Sequence, residues 1–287
     1  AHERAWLATA FVAKAVLGIT TTAALIERLQ IDRALRRICG FSLFKKLPSE
    51  ATFSRAFAEF ATANLVERAH EALVEAHLGD QLIGHLSRDG TAIEARERPA
   101  RKRMPAQPSP IARQRQQSLA QMLEERPDAC DRGTKCNAQG YKVSWNGYKL
   151  HLDTACCGVP IAALLSSASM HDSRAAIPLS LISASRVTNL YDVMDAAYCS
   201  LDLHAHSRGL GHVPLIDHNP RGGEKEPFEP LDALRYQERT VAERSNARLK
   251  DEFGGRHVRV RGPTKVMSHL MFGVFVLSAD QLMRLLL

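Results

Sequence analysis

The stretch YQERTVAERSNARLK, residues 236–250, carries the pattern that best indicates the fold of the chain. Pro230 precedes it and the pair Gly254 and Gly255 follows it, which predicts a single helix that starts after the proline and ends before the glycines. One side of this helix is mostly apolar and can pack on a sheet: Val241, Ser245 and Leu249.

The other side of the predicted helix carries a phenol, a guanidinium, a carboxylate and an ammonium. At ~100° per residue these four side chains fall within about 60° of one another: Tyr236, Arg239, Glu243 and Lys250. Such a face is also typical of a solvated helix with salt bridges. The spacing Tyr-x2-Arg-x3-Glu-x6-Lys, however, resembles the YREK signature of insertion-sequence DDE transposases of the family-four type, and all four positions match.

This resemblance implies an RNase H-like α/β fold, with a mixed sheet and flanking helices. It also implies that two aspartates from other segments join Glu243 in holding the catalytic metals. The first aspartate is expected in residues 82–94, where an apolar run leads into Ser87-Arg88-Asp89-Gly90-Thr91. An Asp-Gly pair is ordinarily a turn. The Asp-x-Thr setting is similar to the first catalytic block of the family, so Asp89 is the candidate, at the C-terminal end of a strand.

The second aspartate is expected after a buried strand over residues 187–194. Asp195, in the sequence Asp-x-x-Tyr, resembles the second catalytic block. Asp192 is a competitor, but it would lie in the middle of the strand. Between the two blocks, runs at residues 148–154 and 159–167 flank Cys157-Gly158 and predict a hairpin, followed by a helix that Asp172 or Ser173 can cap.

Three carboxylates brought together repel one another unless cations separate them. Oxygen ligands at a solvent-open edge suit Mg²⁺ or Mn²⁺ better than zinc. By the resemblance we expect two ions, with Asp89 bridging both and Asp195 and Glu243 taking one each. The ions would activate a water or a 3′-hydroxyl and stabilise the leaving oxygen of a phosphodiester.

The remaining signature side chains, Tyr236, Arg239 and Lys250, are expected to hold phosphates of the transposon end. Further DNA-binding candidates are the helix arginines Arg244 and Arg248. A third group lies in residues 95–117, where four prolines exclude a long helix and seven basic residues stand against one glutamate. We interpret this segment as a mobile basic insertion, extending to about residue 140, that follows a phosphate backbone through Arg101, Lys102 and Arg103. A solvated loop without function is the alternative.

Residues 1–80 show helical periodicity and predict a small all-α region. Phe53, Phe57 and Phe60 form one stripe of a helix that Ser49 is placed to cap. The basic short helices suit either a helix-turn-helix-like DNA module or a packing and dimerisation bundle. Residues 81–287 are assigned to the RNase H-like domain, which ends in an apolar helix over residues 268–287 that is expected to cap the core.

Composition agrees with a nucleic-acid partner. The net charge is +7 over 287 residues, and no apolar run or signal peptide indicates a membrane protein. Six scattered cysteines fit a reducing cytoplasm, and four of them lack the C-x2-C spacing of a zinc knuckle: Cys130, Cys136, Cys156 and Cys157.

We therefore predict a bacterial, cytoplasmic, nucleoid-associated transposase that cuts double-stranded DNA at insertion-sequence ends and joins them to a target, acting as a homodimer on DNA. Two alternatives remain at this stage. One is an RNase H-like nuclease without strand transfer. The other is an inactive DNA-binding remnant, because the chain opens AHERAW without an initiating Met.

Overall fold

A computed structural model of the chain describes residues 3–100, 110–136, 139–220 and 223–286. Its N-terminal part consists of five helices: α1 (Arg4–Val16), α2 (Thr22–Ile31), α3 (Arg33–Ile38), α4 (Glu50–Thr62) and α5 (Leu65–Leu78). The Ser49 side chain accepts a hydrogen bond from the Thr52 N–H and caps α4, as predicted. The phenylalanine stripe of α4 is buried, also as predicted.

A six-stranded mixed sheet follows, built from β1 (Leu82–Glu94), β2 (Asp131–Cys136), β3 (Lys142–Ala155), β4 (Pro160–Ser167), β5 (Thr188–Met194) and β6 (Val213–Ile216). Its main path runs β2-β3-β1-β5-β6, and β4 also pairs with β3. The pairs β1–β5 and β5–β6 are parallel, whereas β3 is antiparallel to β1, β2 and β4. The predicted hairpin is confirmed, with Gly158 at a positive φ of 86° in its turn.

Helices cover both faces of this sheet. On one face, α8 (Ser173–Ala184) packs on β3 and β4, and α9 (Leu201–Gly209) packs on β6. On the other face, α11 (Thr240–Asp251) packs on β1 and β3, and α12 (Pro263–Leu286) lies against β4 and the N-terminal helices. The fold is therefore α/β with a mixed sheet and flanking helices, as the sequence predicted.

The C-terminal helix α12 is the centre of the largest apolar core. Phe272 lies 5.7 Å from Phe11 of α1 and 6.1 Å from Phe57 of α4, measured between ring centroids. By length and composition α12 could cross a membrane, but 61% of its most apolar window is buried inside the protein. These contacts confirm it as a core helix and join the N-terminal helices to the sheet domain through one shared core.

The segment over residues 236–250 differs from the single helix predicted for it. It consists of α10 (Pro230–Tyr236), a 3₁₀ turn over Gln237–Arg239, and then α11. The backbone of Tyr236, Arg239 and Thr240 stays in the right-handed helical region, so the chain continues in one direction with a tightened turn. Short 3₁₀ turns inside helices are common where a helix is strained or hinged. The predicted buried side, Val241, Ser245 and Leu249, is confirmed.

The described part of the basic insertion is attached to the protein body from residue 110 onward. It forms α6 (Pro110–Gln114) and α7 (Leu119–Glu125). Arg113 pairs with Glu125, and Arg115 Nη1 lies 3.1 Å from Asp202 Oδ1. The prolines do exclude a long helix, but these two arginines already have carboxylate partners.

Candidate active site

The two predicted aspartates lie side by side at one edge of the sheet. The parallel pairing of β1 with β5 ends at Arg88 and Met194, and Asp89 and Asp195 are the next residues along the two strands. Neighbouring strands are roughly 5 Å apart. The sequence prediction was wrong in one detail, since β1 does not end at Asp89. It continues to Glu94 because the long strand β3 pairs with it as far as Gly147.

Gly90 is therefore part of a strand and not of a turn. A side chain at this position would approach His151 Nδ1 to 3.0 Å and Asp172 Oδ1 to 3.2 Å. The glycine thus permits two polar side chains to approach the strand directly beside Asp89.

Helix α11 reaches the same edge through Asn246. Its Nδ2 donates a hydrogen bond of 2.9 Å to Asp89 Oδ2. The Asn246 side chain is buried, and its Oδ1 atom has no hydrogen-bond partner in the part of the chain that the structure describes. The hydrogen bond from Nδ2 fixes one oxygen of Asp89 and leaves the other for a further partner. The sequence pattern did not predict Asn246, although it follows Glu243 by three residues and therefore shares its side of the helix.

Glu243, the predicted third ligand, lies one turn before Asn246 on α11. Its side chain is 51% exposed, and its Oε1 atom accepts a hydrogen bond of 2.5 Å from Arg239 Nη2. Within the described ranges no group of three His, Cys, Asp or Glu side chains is arranged to hold a metal ion. The structure thus brings Asp89 and Asp195 together, while Glu243 is turned to the arginine of its own helix.

The carboxyl groups of Asp89 and Asp195 are both harder to ionise than usual, as expected of a site that binds a cation. The pKa of Asp89 is raised to about 6, chiefly by burial and also by the charge of Asp195, against the opposing effects of the Asn246 hydrogen bond and Arg239. Burial also raises the pKa of Asp195, and the nearby carboxylates Asp172 and Asp217 add to this. Carboxylates that are costly to ionise together are stabilised by a divalent cation, and their oxygen donors suit Mg²⁺ or Mn²⁺. The donor set fits such an ion.

A third aspartate, Asp172, approaches the same end of the sheet from the face opposite α11. Asp172 precedes α8 and makes no capping hydrogen bond, so its predicted role as a cap was wrong. Its Oδ1 atom instead accepts a hydrogen bond of 2.8 Å from Lys149 Nζ. The buried hydroxyl of Tyr198 has no hydrogen-bond partner among the described residues. Burial raises its pKa most, and three carboxylates raise it further: Asp172, Asp89 and Asp195.

The competitor Asp192 has a structural role. It is 2% exposed within β5, and its carboxylate pairs with His212 Nδ1 at 3.2 Å and accepts a hydrogen bond from Asn189 Nδ2 at 3.1 Å. Although burial opposes ionisation, the hydrogen bond from His212 and the charge of Arg88 lower its pKa overall. A carboxylate that is paired in this way is not available to a metal.

The signature tyrosine and lysine lie on either side of the carboxylates. Tyr236 packs on Phe228 with ring centroids 4.8 Å apart, and Arg239 lies 5.9 Å from the Tyr236 centroid. Lys250 is half-buried near Asp89, and burial lowers its pKa, with the charges of Lys135 and Arg256 acting in the same direction. No ion pair to Lys250 is present among the residues that the structure describes.

The other predicted DNA-binding residues differ in their availability. Arg244 donates a hydrogen bond of 2.9 Å to Thr240 Oγ1 and faces solvent. Arg248 is held at 2.8 Å from Glu252 and at 2.6 Å from Asp280 of α12, which joins the two helices. Arg101, Lys102 and Arg103 lie outside the described residues.

The mixed sheet with helices on both faces and the two adjacent aspartates have the arrangement expected of an RNase H-like domain. Comparison with known families agrees. Residues 82–278 match the family described as Transposase DDE domain, and residues 1–59 match the family described as Transposase domain (DUF772). No match to a curated protein was found.

The first match covers more than half of the chain, so the chain belongs to the DDE transposases. It is a transposase of the insertion-sequence type, a metal-dependent DNA endonuclease and strand transferase that uses the divalent-metal chemistry general to its family.

Proposed function

We propose that Asp89, Asp195 and Glu243 are the catalytic carboxylates of this transposase and that the YREK residues place it with the family-four type. The observation that carries the proposal is the register of the parallel strands, which puts Asp89 and Asp195 next to each other at the edge that α11 covers. Glu243 lies on the exposed side of α11, one turn from the residue that binds Asp89.

The ions are Mg²⁺ or Mn²⁺, two in number by the family's chemistry. Asp89, Asp195 and Glu243 would hold these ions, which would supply activation of the attacking hydroxyl and stabilisation of the leaving oxygen of the phosphodiester. The chain's own contribution is positioning. Asn246 orients Asp89, Asp195 comes from the adjacent strand, and Glu243 is released to the site when Arg239 moves to a DNA phosphate.

The DNA partner is double-stranded, with the ends of the element held by Tyr236, Arg239 and Lys250. These side chains supply a guanidinium and an ammonium beside the carboxylates, where phosphates of the scissile strand must lie. Arg244 adds an exposed cation on the same helix. We further propose that the protein works as a homodimer on DNA, in the cytoplasm with the nucleoid.

The test is a nicking and strand-joining assay with a duplex that carries the cognate element ends. Asp89→Asn, Asp195→Asn and Glu243→Gln are each expected to abolish cleavage while end binding is retained in a gel-shift assay. Cleavage without any joining would instead support a nuclease without strand transfer. Binding without metal-dependent cleavage in the unmodified chain would support an inactive remnant.

A further inference from the structure

A cleft of about 370 Å³ separates the N-terminal helices from the segment that follows α11. Its apolar wall is formed by phenylalanine side chains from both parts: Phe11, Phe57, Phe253 and Phe272. Its volume lies in the range of ligand sites and exceeds what a single inorganic anion fills. The phenylalanines are buried members of the shared core, so the wall is a fixed surface.

Lys14, in the last turn of α1, lines this cleft. It is partly buried, and burial lowers the pKa of its ammonium group to about 8. Over the described parts of the chain it forms no ion pair, and its charge contributes to lowering the pKa of the neighbouring His269, after burial as the larger cause. A cation held partly out of water without a counter-ion is destabilising, and an anion placed opposite it would offset that cost.

Two further cations line the same cleft. Arg96 and Arg259 are both exposed, and within the described residues neither makes an ion pair. One acidic residue, the exposed Glu50 at the start of α4, also lines it and is likewise unpaired in the described ranges. Three cations therefore face one carboxylate around a cleft that has an apolar wall.

Part of the cleft is lined by residues that directly follow α11, the helix that carries Glu243 and Lys250. Phe253 and Gly254, which line it, follow Lys250 by three and four residues. The segment that leaves α11 beyond Lys250 therefore forms part of the wall of the cleft.

We propose that this cleft binds one nucleotide unit of a DNA strand, with a phosphodiester on Lys14 and Arg259 and its sugar against the phenylalanine wall. This inference rests on the proposed function, since it extends the path of the bound DNA from the active site to the N-terminal helices. It assigns to residues 1–80 a direct phosphate contact at the junction with the catalytic domain.

The first experiment measures the salt dependence of duplex binding by the full chain. Each phosphate contact that is removed lowers the slope of log K against log salt by ~0.9. Lys14→Gln and Arg259→Gln are expected to lower it by about that amount each, whereas Arg208→Gln, an exposed arginine on α9, leaves it unchanged. Arg259 is exposed, so its variant is expected to fold normally. Unchanged slopes in both cleft variants would overturn the proposal.

The second experiment uses the unmodified chain and follows acylation of Lys14 by mass spectrometry. Duplex DNA is expected to protect Lys14, while inorganic phosphate at the same concentration of phosphate groups does not. Protection by phosphate alone, or no protection by DNA, would contradict the proposal.

Failure of the proposed function gives a different result. If the unmodified chain binds DNA but never cleaves it, the catalytic assignment fails and the slope test still applies. If it cleaves normally and the slopes do not change, only the cleft is refuted.

Discussion

Arg239 Nη2 lies 2.5 Å from Glu243 Oε1, so the arginine and the carboxylate of the predicted YREK residues pair with each other. Arg239 is 21% exposed and Glu243 51% exposed at their side chains. Ion pairs four residues apart on an exposed helix are worth about 0.3–0.5 kcal/mol. A DNA phosphate can therefore replace Glu243 as the partner of Arg239 at little cost, and the carboxylate then becomes available to a cation.

Replacing Arg239 should consequently affect DNA binding and not folding. Arg239→Ala is expected to weaken binding of element ends and to abolish their cleavage, because the phosphate contact is lost, while the melting temperature changes by no more than about 2 °C. Arg248→Ala is the matched control. It breaks contacts to Glu252 and to Asp280 of α12, so it should lower the melting temperature more than it lowers end binding.

The opposite pattern would contradict this assignment. If Arg239→Ala binds and cleaves ends normally but melts clearly earlier than the unmodified protein, the pair with Glu243 is a structural contact and the DNA role is wrong.

Asn246 offers a test of how Asp89 is oriented. Asn246→Ala removes the 2.9 Å hydrogen bond to Asp89 Oδ2, and groups that orient a metal ligand typically contribute 10–100-fold in metal affinity or activity. We therefore expect cleavage to fall about 10–100-fold, with weaker Mn²⁺ binding by isothermal titration calorimetry and unchanged DNA binding. Ser245→Ala, at the adjacent buried position, is the control. Equal losses in both variants would indicate general damage to α11.

The sequence was sufficient to predict the elements of this fold whose patterns are local. The β-rich runs at residues 148–154 and 159–167 predict the hairpin, the apolar run before Asp195 predicts a buried strand, and the structure confirms both. The length of β1 was not predictable in this way. Its last six residues, 89–94, pair only with β3, far along the chain, and the Asp-Gly pair inside them carries a local preference for turns that the sheet overrides.

The candidate site was predictable only in part for the same reason. Asp89 and Asp195 were predicted from the residues around them in the chain, whereas Lys149 enters the site through the pairing of β3 with β1 and Asp172 through the packing of α8 against the sheet. The break between α10 and α11 was also missed. The helical face computed for the four signature residues assumes a constant 100° per residue, and a 3₁₀ turn changes that angle.

Substitution of Asp192 and of Asp195 should have different effects, because we assign Asp192 a structural role and Asp195 a catalytic one. Asp192→Asn replaces a buried carboxylate that is hydrogen-bonded to His212 and Asn189, and leaving buried polar partners unsatisfied costs about 1–3 kcal/mol. Asp195→Asn removes a carboxylate that burial disfavours, so it should leave folding intact or improve it. Urea denaturation with EDTA present measures both. A destabilised Asp195→Asn together with an unaffected Asp192→Asn would reverse the assignment.

The stability of the metal-free protein should depend on pH through Asp89. The pKa of Asp89 is about 6 in the folded chain and 3.8 as its ordinary value. Because the folded-state pKa is the higher one, the folded protein binds a proton more tightly than the unfolded chain between these values. The contribution of Asp89 to stability is therefore complete below pH 4, is lost as the pH rises to about 6, and stays lost above it.

The size of this loss is on the order of 3 kcal/mol, at 1.36 kcal/mol per pKa unit. Asp89→Asn should thus be more stable than the unmodified protein at pH 8 with EDTA, and the advantage should vanish near pH 4. Adding Mn²⁺ at pH 8 should stabilise the unmodified protein and not the variant, because the cation replaces the proton. Asp80→Asn, at an exposed position, should show neither effect. If Asp89→Asn is no more stable at pH 8 without metal, the two aspartates do not form the strained anionic pair on which the cation site depends.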